Sequence, residues 1–148
     1  MIVPLWFVLA LGASVCWGIN YAVTEKLLHN NVSVFFLGTA SSLMFLCVSW
    51  GAALWNGSFK SSLAAFQSGQ VPVYVFVFYM MSSIAGWFMV NKAIALNNST
   101  TVSILEIIYP LFTIFFTWVF FHTVHLNGTT ALGGGLIMAG VILILLQG

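Results

Sequence analysis

Five runs of about twenty residues each, at 2–21, 32–55, 71–90, 100–121 and 127–146, consist almost wholly of apolar side chains. A run of that length crosses the ~30 Å hydrocarbon core of a bilayer as an α-helix rising 1.5 Å per residue. Composition says the same: the chain is 61% hydrophobic and 3% charged, where a soluble domain carries about 25% charged residues. The expected fold is an all-α integral membrane protein with five transmembrane helices, a single domain over residues 1–148.

The fourth run breaks its own apolar pattern along one line. Ser99, Ser103, Glu106, Pro110, Thr113 and Thr117 recur at intervals of four and three, which places them on one helix face. Ile104, Ile108, Phe112, Phe115 and Val119 occupy the other face and suit lipid or a dry helix contact. Glu106 is the one acid inside any of the runs. A carboxylate there costs up to about 3 kcal/mol unless it is paired, protonated or hydrated. The stripe is therefore expected to face a cavity in a helical bundle, with the mid-helix Pro110 freeing a carbonyl beside Glu106.

Outside that stripe, polar groups are few. The cations are Lys26, Lys60 and Lys92, with no arginine. No basic patch exists for nucleic acid and no polybasic segment for anionic membranes. Cys16 and Cys47 read as small buried hydrophobes and suggest neither metal nor disulfide. The N-terminus reads as a retained first span, since it carries no positive n-region. Trp6, Trp55 and Trp118 suit an interfacial aromatic belt, and the first span is expected to leave the membrane at Glu25 and Lys26 with His29 in a loop. Asn20 either lines a solute path or hydrogen-bonds a neighbouring helix. The segment 56–70 is the longest polar stretch and can hold a short interfacial helix with Phe59, Leu63 and Phe66 on one side. Small residues stripe the second, third and fifth runs (Gly38 and Ser42; Ser82 and Gly86; Gly128, Ala131, Gly135 and Ala139) and suit close helix approach. Ser99 is a plausible N-cap for the fourth run. A Lys92–Glu106 pair is compatible with the depth of both residues relative to the turn at Asn97 and Asn98. His122 and His125 close the fourth run, where solvation or a belt role outweighs pH sensing.

Several landmarks fall in a familiar order. They are Trp17-Gly18-Ile19-Asn20 late in the first run, Asn91-Lys92-Ala93 closing the third, Ser99 through Pro110 opening the fourth, and Gly134 through Val141 in the fifth. On these the chain resembles a single EamA-type domain of the drug/metabolite transporter superfamily, over nearly its whole length. It departs from the family pattern after the fourth run, where many members carry a glutamate and this chain has Phe121-His122-Thr123. The resemblance implies a secondary transporter or exporter of a small metabolite or amphiphilic solute, with no cofactor, in the inner (cell) membrane of a bacterium. Ten-helix members of the superfamily join two such five-helix domains in opposite orientation, and small four-helix relatives work as antiparallel dimers.

The residues expected to bind substrate or proton are Glu106, Lys92, Asn20, Trp17, Ser103, Tyr109 and Pro110. Glu106 serves either to bind a proton or a substrate charge, or in a structural role, paired with Lys92 or capping the start of the span. The competing function is a non-transporting membrane subunit or scaffold of a larger complex. An enzyme is not expected, since no HExxH, Gly-x-Ser-x-Gly or paired aspartates occur. An odd number of spans sets the loop with Lys60 against the side with Lys26 and Lys92, a feeble charge bias. Insertion in both orientations, and a homodimer of inverted copies, is the resulting expectation; a separate five-span partner is its rival. A C-terminal reporter should then be reachable by protease from both faces of sealed vesicles. Protection on one face in every molecule rules dual insertion out.

Overall fold

The computed structural model describes residues 4–69, 71–123 and 126–146. These form seven α-helices, and no strand occurs among them. They are α1 (Leu5–His29), α2 (Val34–Trp55), α3 (Ser58–Gln67), α4 (Val73–Leu96), α5 (Ser99–Glu106), α6 (Tyr109–Phe121) and α7 (Gly128–Leu145). Helices α1, α2, α4 and the stretch Ser99–Phe121 are each long and apolar enough to cross a membrane. Helix α7, with 18 residues, is near the lower end of the length that spans. Large apolar side chains lie exposed all along these helices, Trp6, Trp55 and Trp118 among them, as a lipid-facing surface requires.

The chain divides into two compact units, one made of residues 1–22 and 97–148, the other of Val23–Leu96. The second unit begins with the last turns of α1. That helix runs on through Glu25, Lys26 and His29, where the sequence suggests an exit into a loop. It closes on Asn31 in the left-handed region, φ 65°. The N–H groups of Asn31 and Val32 reach the carbonyls of Leu28 and Leu27, each at 3.1 Å. This is a Schellman closure, with asparagine in the place glycine usually takes. Lys26 and His29 lie in the last turn, where cations complement the carbonyl end of the helix dipole. Ser33 then opens α2, its hydroxyl accepting from the Phe36 N–H at 3.1 Å.

Helix α2 packs on both α3 and α4. Helix α3 is the short helix expected within 56–70, and Phe59 and Phe66 hold it: Phe59 meets Trp50 edge-on at 6.2 Å, and Phe66 meets Phe76 at 5.2 Å. On the facing sides of α2 and α4 the decisive position is Gly38. A Cβ there would lie 2.8 and 2.9 Å from two ring atoms of Trp87. Asn91, buried one turn further along α4, donates its side-chain amide to the Trp87 carbonyl at 2.8 Å. Ile94 is the most buried large side chain, 1% exposed. Gly86, by contrast, has open space where a Cβ would be.

The other unit contains the first part of α1 with α5, α6 and α7, and its buried apolar residues are Val102 and Val141. The N-cap of α5 is Asn98 and not Ser99: the Asn98 side chain accepts from the Thr101 N–H at 2.8 Å, and Ser99 is the first helical residue, buried. Asn127 caps α7 in the same way, accepting from both the N–H and the hydroxyl of Thr130 at 2.8 Å. The small-residue stripe of α7 is exposed, and its glycines have open space beside them. No atom lies within 4 Å of a Cβ built at Gly128, Gly133, Gly135 or Gly140, and it is Gly134 that faces Leu111. Cys16 and Cys47 are exposed instead of buried; a thiol is apolar enough to face lipid. His122 ends α6 in the left-handed region, and His125 lies outside the described residues.

The contrast between the two α2–α4 glycines is testable. Gly38→Leu should cost about 1–3 kcal/mol through overpacking against Trp87, lowering the unfolding midpoint in detergent by several degrees. Gly86→Ala should leave the midpoint unchanged or raise it slightly, because alanine is the better helix former.

Candidate functional site

The fourth run is not one helix. Proline at 110 has no N–H, so the carbonyl of Glu106 loses the donor four residues on, and the ring would clash with it. The chain answers two residues before the proline. The N–H groups of Ile107 and Ile108 turn back to the carbonyls of Ile104 and Leu105, both at 3.2 Å, the tighter three-residue closure. Helix α6 then starts afresh with Pro110 in its first turn, where a missing donor costs nothing. Glu106 is thereby the last residue of α5, at the junction of two half-helices.

The Glu106 carboxylate is half-buried and accepts a hydrogen bond from the Tyr21 hydroxyl on α1. A hydrogen bond to a charged acceptor contributes about 1.5–3 kcal/mol, comparable to the cost of placing the carboxylate in hydrocarbon. One turn earlier on α1, Trp17 stands with its ring 6.0 Å from that of Tyr21, at an interplanar angle of 43°. Trp17, Tyr21 and Glu106 thus form one line from the surface of α1 to the end of α5. Tyr21 is not among the residues that the polar stripe or the family landmarks single out. Its spacing of four from Trp17 places the two on one face of α1, and this was the signal available.

The other members of the stripe serve differently. Ser103 donates its hydroxyl to the Thr100 carbonyl at 2.9 Å, and Thr113 donates to the Tyr109 carbonyl at 3.1 Å. Both hydroxyl protons are therefore engaged with their own helix, and only the oxygens can receive a ligand. Tyr109 and Pro110 are exposed beside the break, and Thr117 is half-buried. Asn20 is exposed. Lys92 belongs to the other unit, where it is exposed and lines a groove with residues of α2 and α4. No group of three or more His, Cys, Asp or Glu side chains that could hold a metal ion occurs among the described residues.

The arrangement is one carboxyl group, held by a phenol at a break in a membrane helix, with aromatic faces beside it. It can take up and release a proton or receive a cationic or hydrogen-bonding group, and it carries no nucleophile–base pair. No curated protein and no solved structure matches the chain. A family model does match, that of the EamA-like transporter family, over residues 4–146. That match takes in every apolar segment and the interrupted helix between α5 and α6, and the chain belongs to this family of membrane transporters of small solutes.

Proposed function

We propose that the chain is a small secondary transporter in which Glu106 exchanges a proton for a small metabolite or amphiphilic solute, working as a homodimer of oppositely oriented copies. The observation that carries this reading is the bond from Tyr21 to Glu106 at the α5–α6 break. Ends of half-helices within a membrane are where transporters place ions and charged groups, because unpaired backbone carbonyls and N–H groups are available there. A protonated Glu106 loses the charge that strengthens the bond from Tyr21, so proton uptake loosens α1 from α5 and proton release draws them together. Such a contact is the two-state element that coupling requires.

Trp17, Tyr21 and Tyr109 offer flat apolar faces beside the carboxyl, which favours an apolar or amphiphilic solute. Asn20, Ser103 and Pro110 lie on the same α1 and α5–α6 segments and supply polar edges and the freed carbonyl. The absence of arginine disfavours a dianionic phosphate as cargo, since no bidentate clamp is present. Two inverted copies would rebuild the paired repeats on which alternating access depends.

In vesicles with an imposed pH gradient, Glu106→Gln should abolish solute-coupled proton movement while the protein stays folded. Unchanged transport in that variant removes the carboxyl from the mechanism, and a wild-type protein that dissipates no gradient would be a scaffold. Tyr21→Phe keeps the ring and removes the donor. It should slow transport by about 10- to 100-fold, the loss expected for one hydrogen bond to a charged group, and measured initial rates decide it.

A further inference from the structure

We propose that the groove between α2 and α4 is a lateral site for an anionic membrane lipid, with the Lys92 ammonium on the headgroup phosphate and the acyl chain along the helix walls. The groove is open along its length and offers about 580 Å³, as a site reached from the side by a lipid chain must be. Val34 and Phe35 form one wall, and Phe88, Met89 and Leu96 the other. Lys92 is the one charged side chain in the lining, and no acid is there to neutralise it.

Position selects the ligand. The groove lies at the first turn of α2 and the last turns of α4. The polar residues Ser33, Asn97 and Asn98 stand just beyond those turns, so this end of both helices marks the boundary between acyl chains and headgroups. Lys92 is one turn inside Leu96, about 6 Å along the axis. Its four-carbon stem can follow the apolar wall outward and present the ammonium at the depth of lipid phosphates. The aromatic lining is braced: Phe88 meets Phe35 at 5.3 Å, and behind it Phe88 meets the Trp87 ring at 5.3 Å. Asn91 is engaged with the Trp87 carbonyl and does not compete for the headgroup. A soluble anion would find one cation, the open N–H groups of the first turn of α2, and an apolar wall it cannot use. A lipid satisfies both at once: its phosphate pairs with the ammonium, and its chain covers the aromatic and aliphatic surface. The site does not depend on proton exchange at Glu106.

The test is native mass spectrometry of the purified chain in neutral detergent, with equimolar phosphatidylglycerol and phosphatidylcholine. Wild type should retain phosphatidylglycerol about fivefold over phosphatidylcholine, the preference expected for one lysine at an anionic headgroup. Lys92→Gln should bring the two to parity, while Lys92→Arg, Lys26→Gln and Lys60→Gln keep the preference. Met89→Trp, which fills the groove, should reduce retention of both lipids. A preference that survives Lys92→Gln, or is lost equally in Lys60→Gln, overturns the proposal. So does displacement of phosphatidylglycerol by millimolar glycerol phosphate, which would mark a site for a soluble anion.

Discussion

A charge inside hydrocarbon must be answered from within the protein, and the contact between Tyr21 and Glu106 is where this chain does so. Without a donor, a centrally placed carboxylate would cost about 2.5–3.5 kcal/mol, a large part of the stability of any small domain. The donor comes from another helix, so the same bond that makes the acid tolerable also fastens α1 to α5. The carboxylate is thereby also a structural tie between the two helices. The break at Ile107 and Ile108 belongs to the same logic. It leaves the Glu106 carbonyl without its usual partner, beside a group that can bind a proton or a polar solute, and irregular backbone at membrane depth persists where it borders protein or water.

The ends of the helices follow a related rule. Each helix leaves backbone groups without partners at both termini, and near a bilayer these must be met locally. Asparagine and serine meet them: Asn31 closes α1, Ser33 opens α2, Asn98 opens α5 and Asn127 opens α7. At the three N-caps a short polar side chain reaches a backbone N–H three residues away without adding charge, whereas Asn31 serves by tolerating the left-handed backbone. The connections can then be a few residues long, which is how so many apolar segments fit in a short chain.

Much of this was legible in the sequence, and the failures have definite causes. The apolar runs gave the membrane helices because nothing else satisfies backbone groups in lipid, and the spacing of Phe59, Leu63 and Phe66 gave α3. The polar stripe pointed to Glu106 but not to its partner. Periodicity fixes which residues share a face of one helix; it carries no information about how two helices are rotated toward each other, and that rotation is what brings Tyr21 to Glu106. Pro110 announced an interruption, but the helix stops at Glu106, four residues earlier, because a proline removes the partner of the carbonyl on the turn before it. Asn98 and Ser99 are both good caps in isolation. The choice fell to Asn98, which has the extended backbone a cap requires, while Ser99 enters the helix and is buried. His29, expected in a loop, is the last residue of α1, which continues through Glu25 and Lys26, since charged residues end a hydrophobic run without ending a helix.

Glu106 and Lys92 meet the same difficulty by opposite means, and the difference lies in the length of the side chain. Glutamate has a short stem and cannot carry its charge to the membrane surface from the end of α5, so its stabilising donor must be built into the protein, and Tyr21 is that donor. Lysine has four methylenes, apolar enough to lie along a helix wall, and can move its ammonium toward water or headgroups. The protein therefore does not need to supply an acid at Lys92, and the groove around it contains none. A carboxyl fixed by an internal hydrogen bond is answered within the protein, whereas an ammonium with no acid in its groove is left open to the surroundings. The proposed proton exchange at Glu106 would act on the contact between α1 and α5, and the proposed lipid would act on the groove between α2 and α4. The two sensitivities should be separable by altering pH at fixed lipid and lipid at fixed pH.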